Sequence, residues 1–300
     1  MKKLTALMLS SAMMLSLAAC GGSASTETVS SEAASSEAAS SEAVSTEEAA
    51  SADAAAVTTV NAGKLTMSTN AAFPPYEMTT DTGDFEGIDI EVAGAIAKKL
   101  GLELQVDDMD FDAALLAAQN GKSDMVMAGV TVTDERKEKV DFAKPYMKVA
   151  LGVVSPESAQ ITDVSQLDGK TLIIAKGTTA ETFFEKNYPD IKLQKYDQYA
   201  DAYNALLDGR GDAFSTDNTE VLAWAKSNKG FKVGITHLGD DDTIAPAVQK
   251  GNTELLNFVN DEIVKLGKDN FFHKDYQETL EPVYGNEVNP DDIVVEGGAV

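Results

Sequence analysis

Four side chains have the types and spacing to hold a zwitterion. Arg136 carries a planar guanidinium, which grips a carboxylate through two parallel N–H donors. Thr178 and Thr179 follow Gly177 where a helical stretch begins, and free amides at a helix start favour an anion. Asp217 follows an apolar strand-like run and accepts from an ammonium. Phe73 and Phe111 can enclose an aliphatic part, because pockets of this size are mainly apolar with few polar anchors. Asn70 and Tyr76 flank Phe73, and Gly129 and Thr131 precede Arg136. Each residue also has an ordinary reading: the phenylalanines as core, Arg136 as part of the charged run 134–139, Asp217 as an N-cap, and Gly177-Thr178-Thr179 as a strand-to-helix turn.

The elements that must position these residues alternate along the chain. Period-two and apolar runs predict strands at 65–68, 102–106, 125–128, 149–154, 171–175, 193–196 and 213–216. Helical spacing predicts helices at 90–100, 111–119, 179–186, 200–207 and 220–226, with Asp110 as a cap and Gly101 and Gly121 as stops. Such alternation implies an α/β fold of mainly parallel sheets flanked by helices. In those sheets ligands sit at the carboxyl ends of strands, and the residues singled out above stand just after predicted strands. Two runs of elements, divided near 146–150, imply two lobes. The late helices at 254–266 and 275–280 need a sheet to pack on, and a strand-like segment at 244–248 can return the chain to the first lobe. The expected division is 63–147 plus 246–281 for lobe 1 and 148–245 for lobe 2.

Composition excludes several functions. The net charge is −25, with 24 Lys and Arg against 49 Asp and Glu in 300 residues. Phosphate backbones and anionic membrane surfaces repel such a chain, so nucleic acid is not an expected partner. One cysteine and two separated histidines, His237 and His273, make neither a disulfide nor a metal cluster, and no cofactor or metal is expected.

The N-terminus addresses the chain. Lys2 and Lys3 precede a short apolar run ending Leu17-Ala18-Ala19-Cys20-Gly21, a secretory signal. This ending resembles the bacterial lipobox, in which the cysteine is diacylated and becomes the first residue. Cys20 is therefore the expected lipidation site, anchoring the mature chain on the outer face of the cell membrane. Residues 21–62 hold no Lys, Arg or aromatic residue and repeat Ser-Ser-Glu-Ala-Ala, which reads as a disordered, solvated tether. From Pro282 onward acids, Pro and Gly without a base suggest a loosely held acidic tail, 282–300.

The motif Gly87-Ile88-Asp89-Ile90-Glu91-Val92 resembles the signature of the family 3 bacterial solute-binding proteins, the polar amino acid receptors of ABC transporters. Similar segments run from Asn70 to Glu77, at Asp110-Phe111, from Ala128 to Lys137, from Val140 to Phe142 and from Lys176 to Glu181, so the resemblance covers about 64–280. It implies a two-lobed, Venus-flytrap fold of the periplasmic-binding-protein kind, with hinge strands near 146–150 and 244–248. It implies that Arg136 binds the ligand α-carboxylate and Asp217 its ammonium. Phe73 and Phe111 would enclose the side chain, Gly129 and Thr131 would add bonds, and Thr178 and Thr179 would support the carboxylate. Closure would then present a monomeric receptor to a permease driven by a cytoplasmic ATPase, without catalysis.

Two departures bear on specificity. Asn70 stands where many receptors for basic ligands have an acid, and Thr216 where a histidine can precede the aspartate. No acid is left over for a basic side chain, so an uncharged polar ligand is favoured, while Lys176 keeps an acidic ligand open. A cyclohexadienyl dehydratase-like enzyme and a ligand-sensing module remain alternatives.

Overall fold

The structure, a computed structural model, describes residues 57–299. The signal with Cys20, and the tether as far as 56, lie outside the described residues.

The chain begins with β1 (Lys64–Thr69), a small hairpin sheet of β2 (Ala72–Phe73), β3 (Glu77–Thr79) and β4 (Phe85–Glu86), then α1 (Ile88–Leu100). Next come β5 (Glu103–Asp108), α2 (Phe111–Gln119), β6 (Met125–Val126), α3 (Asp134–Lys137) and β7 (Val140–Phe142). The chain then crosses into β8 (Met147–Pro156), β9 (Thr171–Ala175), α4 (Thr179–Asn187), β10 (Lys192–Tyr196) and α5 (Tyr199–Leu207). It continues through β11 (Ala213–Asp217), α6 (Asn218–Ser227) and β12 (Phe231–Ile244). It returns as β13 (Ala247–Gln249) and closes with α7 (Thr253–Lys268), α8 (Phe271–Asp275), α9 (Glu281–Tyr284) and α10 (Pro290–Ile293).

Two five-stranded sheets carry the two lobes, ordered β5-β1-β6-β13-β7 and β10-β9-β11-β8-β12. The first lobe is discontinuous, because β13 enters its sheet only after the chain has built the second. Both sheets are mixed. β1 runs parallel to β5 and β6, and β9 to β10 and β11, whereas β13 is antiparallel to β6 and β7, and β8 to β11 and β12. The long β12 escapes the sequence reading because its Gly, His and Asp residues break alternation. It follows β8 through three register shifts instead of a continuous ladder.

Local chemistry explains the elements that set the site. Helix α1 buries Ile88, Val92, Ile96 and Leu100, residues four apart on one face, and stops at Gly101 in the left-handed conformation (φ 70°). Fully burying each such aliphatic side chain contributes about 1.5–3 kcal/mol. Asp110 stands at the cap position of α2 but makes no capping bond; its carboxylate accepts from Gln198 of the other lobe. One buried cluster spans both lobes, including Phe73, Phe111, Tyr199, Tyr203 and Phe214, and a second, around Leu172, Ile174 and Phe184, lies within lobe 2.

Both ends of the described chain are held more firmly than their composition suggests. Val57 packs on the core and the Val60 amide donates to Asp124 at 2.7 Å, so the end of the expected tether is fixed. Beyond Pro282 the chain is docked, which corrects the loosely held tail. Tyr284, Ile293, Val294 and Val295 are buried, and Val295 donates to the Tyr146 carbonyl at 2.8 Å. Glu296 accepts from the amides of Phe272 and His273, and the His273 ring bonds Glu296 and Asp291. A few apolar residues and one carboxylate therefore outweigh a composition that reads as solvated.

Candidate functional site

Arg136 lies in the one-turn helix α3, where the Thr133 hydroxyl accepts from the Arg136 amide. Its guanidinium lies 5.3 Å from the Phe111 ring centre. Nη1 donates to the Thr131 carbonyl at 2.8 Å and Nη2 donates across the cleft to the Gly177 carbonyl at 3.0 Å. A guanidinium has five N–H donors, so donors remain beyond these two bonds. Burial pulls its pKa down, and the negative charge of Asp217 partly offsets this.

Asp217 ends β11 in lobe 2, is 5% exposed and makes no capping bond to α6. Burial pushes its carboxyl up to about 7, with Arg136 lowering it and Asp242 raising it. An arriving ammonium would hold the carboxylate ionised.

Aromatic rings close the space between these charges. Phe73 from lobe 1 meets Tyr199 from lobe 2 edge-on at 5.0 Å, and Phe111 meets Tyr199 at 6.4 Å. The Tyr199 hydroxyl bonds Thr216 at 3.0 Å, which fixes the ring. Gly129, with φ +58°, sits so close to Phe73 that a Cβ there would lie 2.8 Å from the ring. Asn70 is 2% exposed; its Nδ2 donates to the Met109 carbonyl, while its Oδ1 has no partner among the described residues.

The remaining expected residues divide. Thr131 is buried and lends its carbonyl to Arg136. The Thr178 hydroxyl is spent on capping, accepting from the Glu181 amide and donating to the Ala175 carbonyl. Only the backbone of Thr178 is thus available to an anion, while Thr179 opens α4 beside it. Tyr76 is fully buried and its hydroxyl bonds Thr219 of lobe 2 at 2.8 Å, so it joins the lobes. Lys176 is paired with Asp197 at 2.5 Å on the surface. A cleft of about 830 Å³ between the lobes reaches Arg136 and is lined by Leu115, Leu116, Phe183 and Leu238 among others, but not by Asp217, Phe73 or Tyr199. No described group of three or more His, Cys, Asp or Glu could hold a metal ion.

The segment that builds both lobes, residues 65–280, matches the bacterial extracellular solute-binding proteins, family 3. The chain belongs to that family.

Solved structures of this kind include a solute receptor for L-cysteine of Neisseria gonorrhoeae. It is 44% identical, with TM-score 0.76, covering 78% of this chain and 96% of that one. A cysteine-binding protein from Campylobacter jejuni is likewise 44% identical, with TM-score 0.77 and the same coverage. The ABC transporter glutamine-binding protein of Bacillus subtilis (strain 168) is 30% identical over 203 residues, 66% of this chain and 74% of that one. Similar proteins thus serve amino acid transporters.

As a family 3 solute-binding protein the chain adopts the two-lobed fold, and its lobes meet here in a closed arrangement. Among the described residues, contacts that cross between them include Arg136 with Gly177, Tyr76 with Thr219, Gln198 with Asp110, and Tyr199 with Phe73 and Phe111. Tyr199 and Gln198 were missed in the sequence. Both follow β10, so the strand-end rule that singled out the other residues would have found them.

Proposed function

We propose that this solute-binding protein receives a small, uncharged polar amino acid outside the cell membrane and presents it to an ABC permease. The observation that carries the reading is the opposition of Arg136 and Asp217 from different lobes, one suited to an α-carboxylate and the other to an α-ammonium. Phe73 and Tyr199 are in edge-on contact at 5.0 Å, which favours a small side chain beside them. The unpartnered Asn70 Oδ1 suits a side chain that donates a hydrogen bond, such as a thiol or hydroxyl. Cysteine is the first ligand to test, because two similar structures are cysteine receptors.

In this reading Phe73 and Phe111 enclose the side chain, Gly129 and Thr131 complete the turn, and the Thr178 and Thr179 amides support the carboxylate. Tyr76 acts by joining the lobes. Contacts from both lobes exist together only when the cleft is shut, so ligand shifts the open–closed equilibrium toward closure. The chain acts as a monomer, anchored through lipid on Cys20, and turns nothing over.

Thermal shift of the mature chain against all standard amino acids and cystine tests this, followed by calorimetry on hits. A ligand at a hundred times its dissociation constant stabilises by about 2.7 kcal/mol. A shift with cysteine or another small polar amino acid, lost in Arg136→Ala, supports the reading. Silence from every amino acid, or turnover of prephenate or arogenate, overturns it.

A further inference from the structure

Behind the ligand turn lies a buried acidic pair that the clamp does not use. Asp89, in the first turn of α1, and Glu77, in β3, are both wholly buried. The Asp89 Oδ2 accepts from the Gly129 amide at 3.0 Å, and Oδ1 accepts a short bond from the Tyr146 hydroxyl. Glu77 lies within hydrogen-bond reach of Asp89. Neither Glu77 oxygen accepts a bond from a described donor. A protonated Glu77 donating to an ionised Asp89 gives one of its oxygens a partner, since two buried carboxylates in contact cannot both stay charged.

The two ends of this arrangement do different work. Gly129 holds the turn against Phe73 in a left-handed conformation. Tyr146 stands where the chain leaves β7 for β8: its amide donates to the Ile244 carbonyl, and its own carbonyl accepts from Val295. Both crossings between the lobes therefore meet at Tyr146. A core that only needed filling would hold hydrocarbon here, because burying an ion costs more than apolar packing of equal volume.

We propose that Asp89 is a positioning residue, whose carboxylate clamps the Gly129 turn to Tyr146 at the hinge so that lobe closure and the shape of the ligand turn change together. This rests on the reading of Gly129 as part of the amino acid site. Glu77 holds the carboxylate in register by lending it a proton.

The decisive variant is Tyr146→Phe, which removes one hydroxyl and keeps the buried ring. Amide hydrogen exchange of the unliganded mature chain is followed at residues 127–131 and 146–149, with Tyr276→Phe as a control for loss of a tyrosine hydroxyl that bonds Val288 and not Asp89. Exchange is expected to quicken at both segments in Tyr146→Phe and in Asp89→Asn, and at neither in Tyr276→Phe. In Glu77→Gln, whose amide still donates to Asp89, it should stay near wild type. Calorimetry with L-cysteine should show affinity weakened about ten- to hundredfold in Tyr146→Phe, the loss of a charge-assisted bond. Quickening confined to 146–149, or unchanged cysteine affinity in Tyr146→Phe beside a wild type that binds, overturns the clamp. If the wild type ignores cysteine, cysteine fails as the ligand by itself and the exchange pattern still decides the clamp.

Discussion

The guanidinium of Arg136 in one lobe donates to the carbonyl of Gly177 in the other at 3.0 Å, although no peptide segment between them is short. The same side chain that suits a ligand carboxylate is thus also a latch of the closed cleft. Binding and closure share one group.

Replacing Arg136 separates these roles. Arg136→Ala should abolish ligand-induced stabilisation, with a rise in Kd of at least about a hundredfold, because a buried carboxylate would be left unpaired. Arg136→Lys should retain part of the affinity, since a point charge cannot serve Thr131, Gly177 and a carboxylate at once. Isothermal titration with the best ligand of the screen measures both.

Loss of the Tyr199 ring should weaken binding as well as the fold in which it is buried. Tyr199→Ala removes the edge-on contacts to Phe73 and Phe111, and aromatic pairs contribute about 0.5–1.5 kcal/mol beyond their buried area. Kd is expected to rise about tenfold or more in the same titration.

The ligand turn tolerates no side chain. Gly129→Ala places a Cβ 2.8 Å from Phe73 at a φ of +58°, and the left-handed conformation alone costs about 1 kcal/mol. The variant should lose more affinity than stability, seen by comparing calorimetry with denaturant unfolding.

Stability without ligand should fall as pH rises from about 4 to 7. Burial raises Asp89 to about 6 and both Asp217 and Asp275 to about 7. Their unfolded values lie near 3.9. The folded chain therefore binds more protons than the unfolded one across this window, and raising pH favours unfolding. Glu77 and Glu220, also raised by burial, extend the trend upward. Ligand affinity should run the other way, falling below about pH 7 as a proton competes with the ammonium for Asp217. Urea midpoints with and without ligand across pH 4–8 check both signs; flat profiles would contradict them.

The C-terminal segment should support the fold. Glu296→Ala leaves the amides of Phe272 and His273 without their acceptor and breaks the bond to the His273 ring, a loss of about 2 kcal/mol given typical charge-assisted bonds. Urea unfolding of the variant measures it, and an unchanged midpoint would return the segment to a dispensable tail.

Much of the architecture was legible in local pattern. The helix predicted at 111–119 is α2 to the residue, and the strand at 171–175 is β9. Both have periodic apolar faces and polar or glycine ends, so local chemistry and final packing agree. The order of the strands was not legible in full: β12 has no clean period, and its place beside β8 follows from the sheet edge it completes. The tail misled for a related reason, since composition counts its acids but not the single position, Glu296, at which one finds three donors.

At the site, sequence alone determined which residue types are present: one arginine after a strand, one aspartate after another, two phenylalanines and a Gly-Thr-Thr helix start, a set that fits a zwitterion. Only the tertiary structure decided how each is spent. It turned the Thr178 hydroxyl to its own helix, Tyr76 to Thr219, and Asp110 to Gln198, and it brought Tyr199 over the cleft from about sixty residues beyond Arg136 in the chain. Hydrogen-bond partners across a cleft have no spacing rule. Local sequence fixes a side chain's chemistry and its element, whereas the docking of two separately built sheets fixes what that chemistry meets.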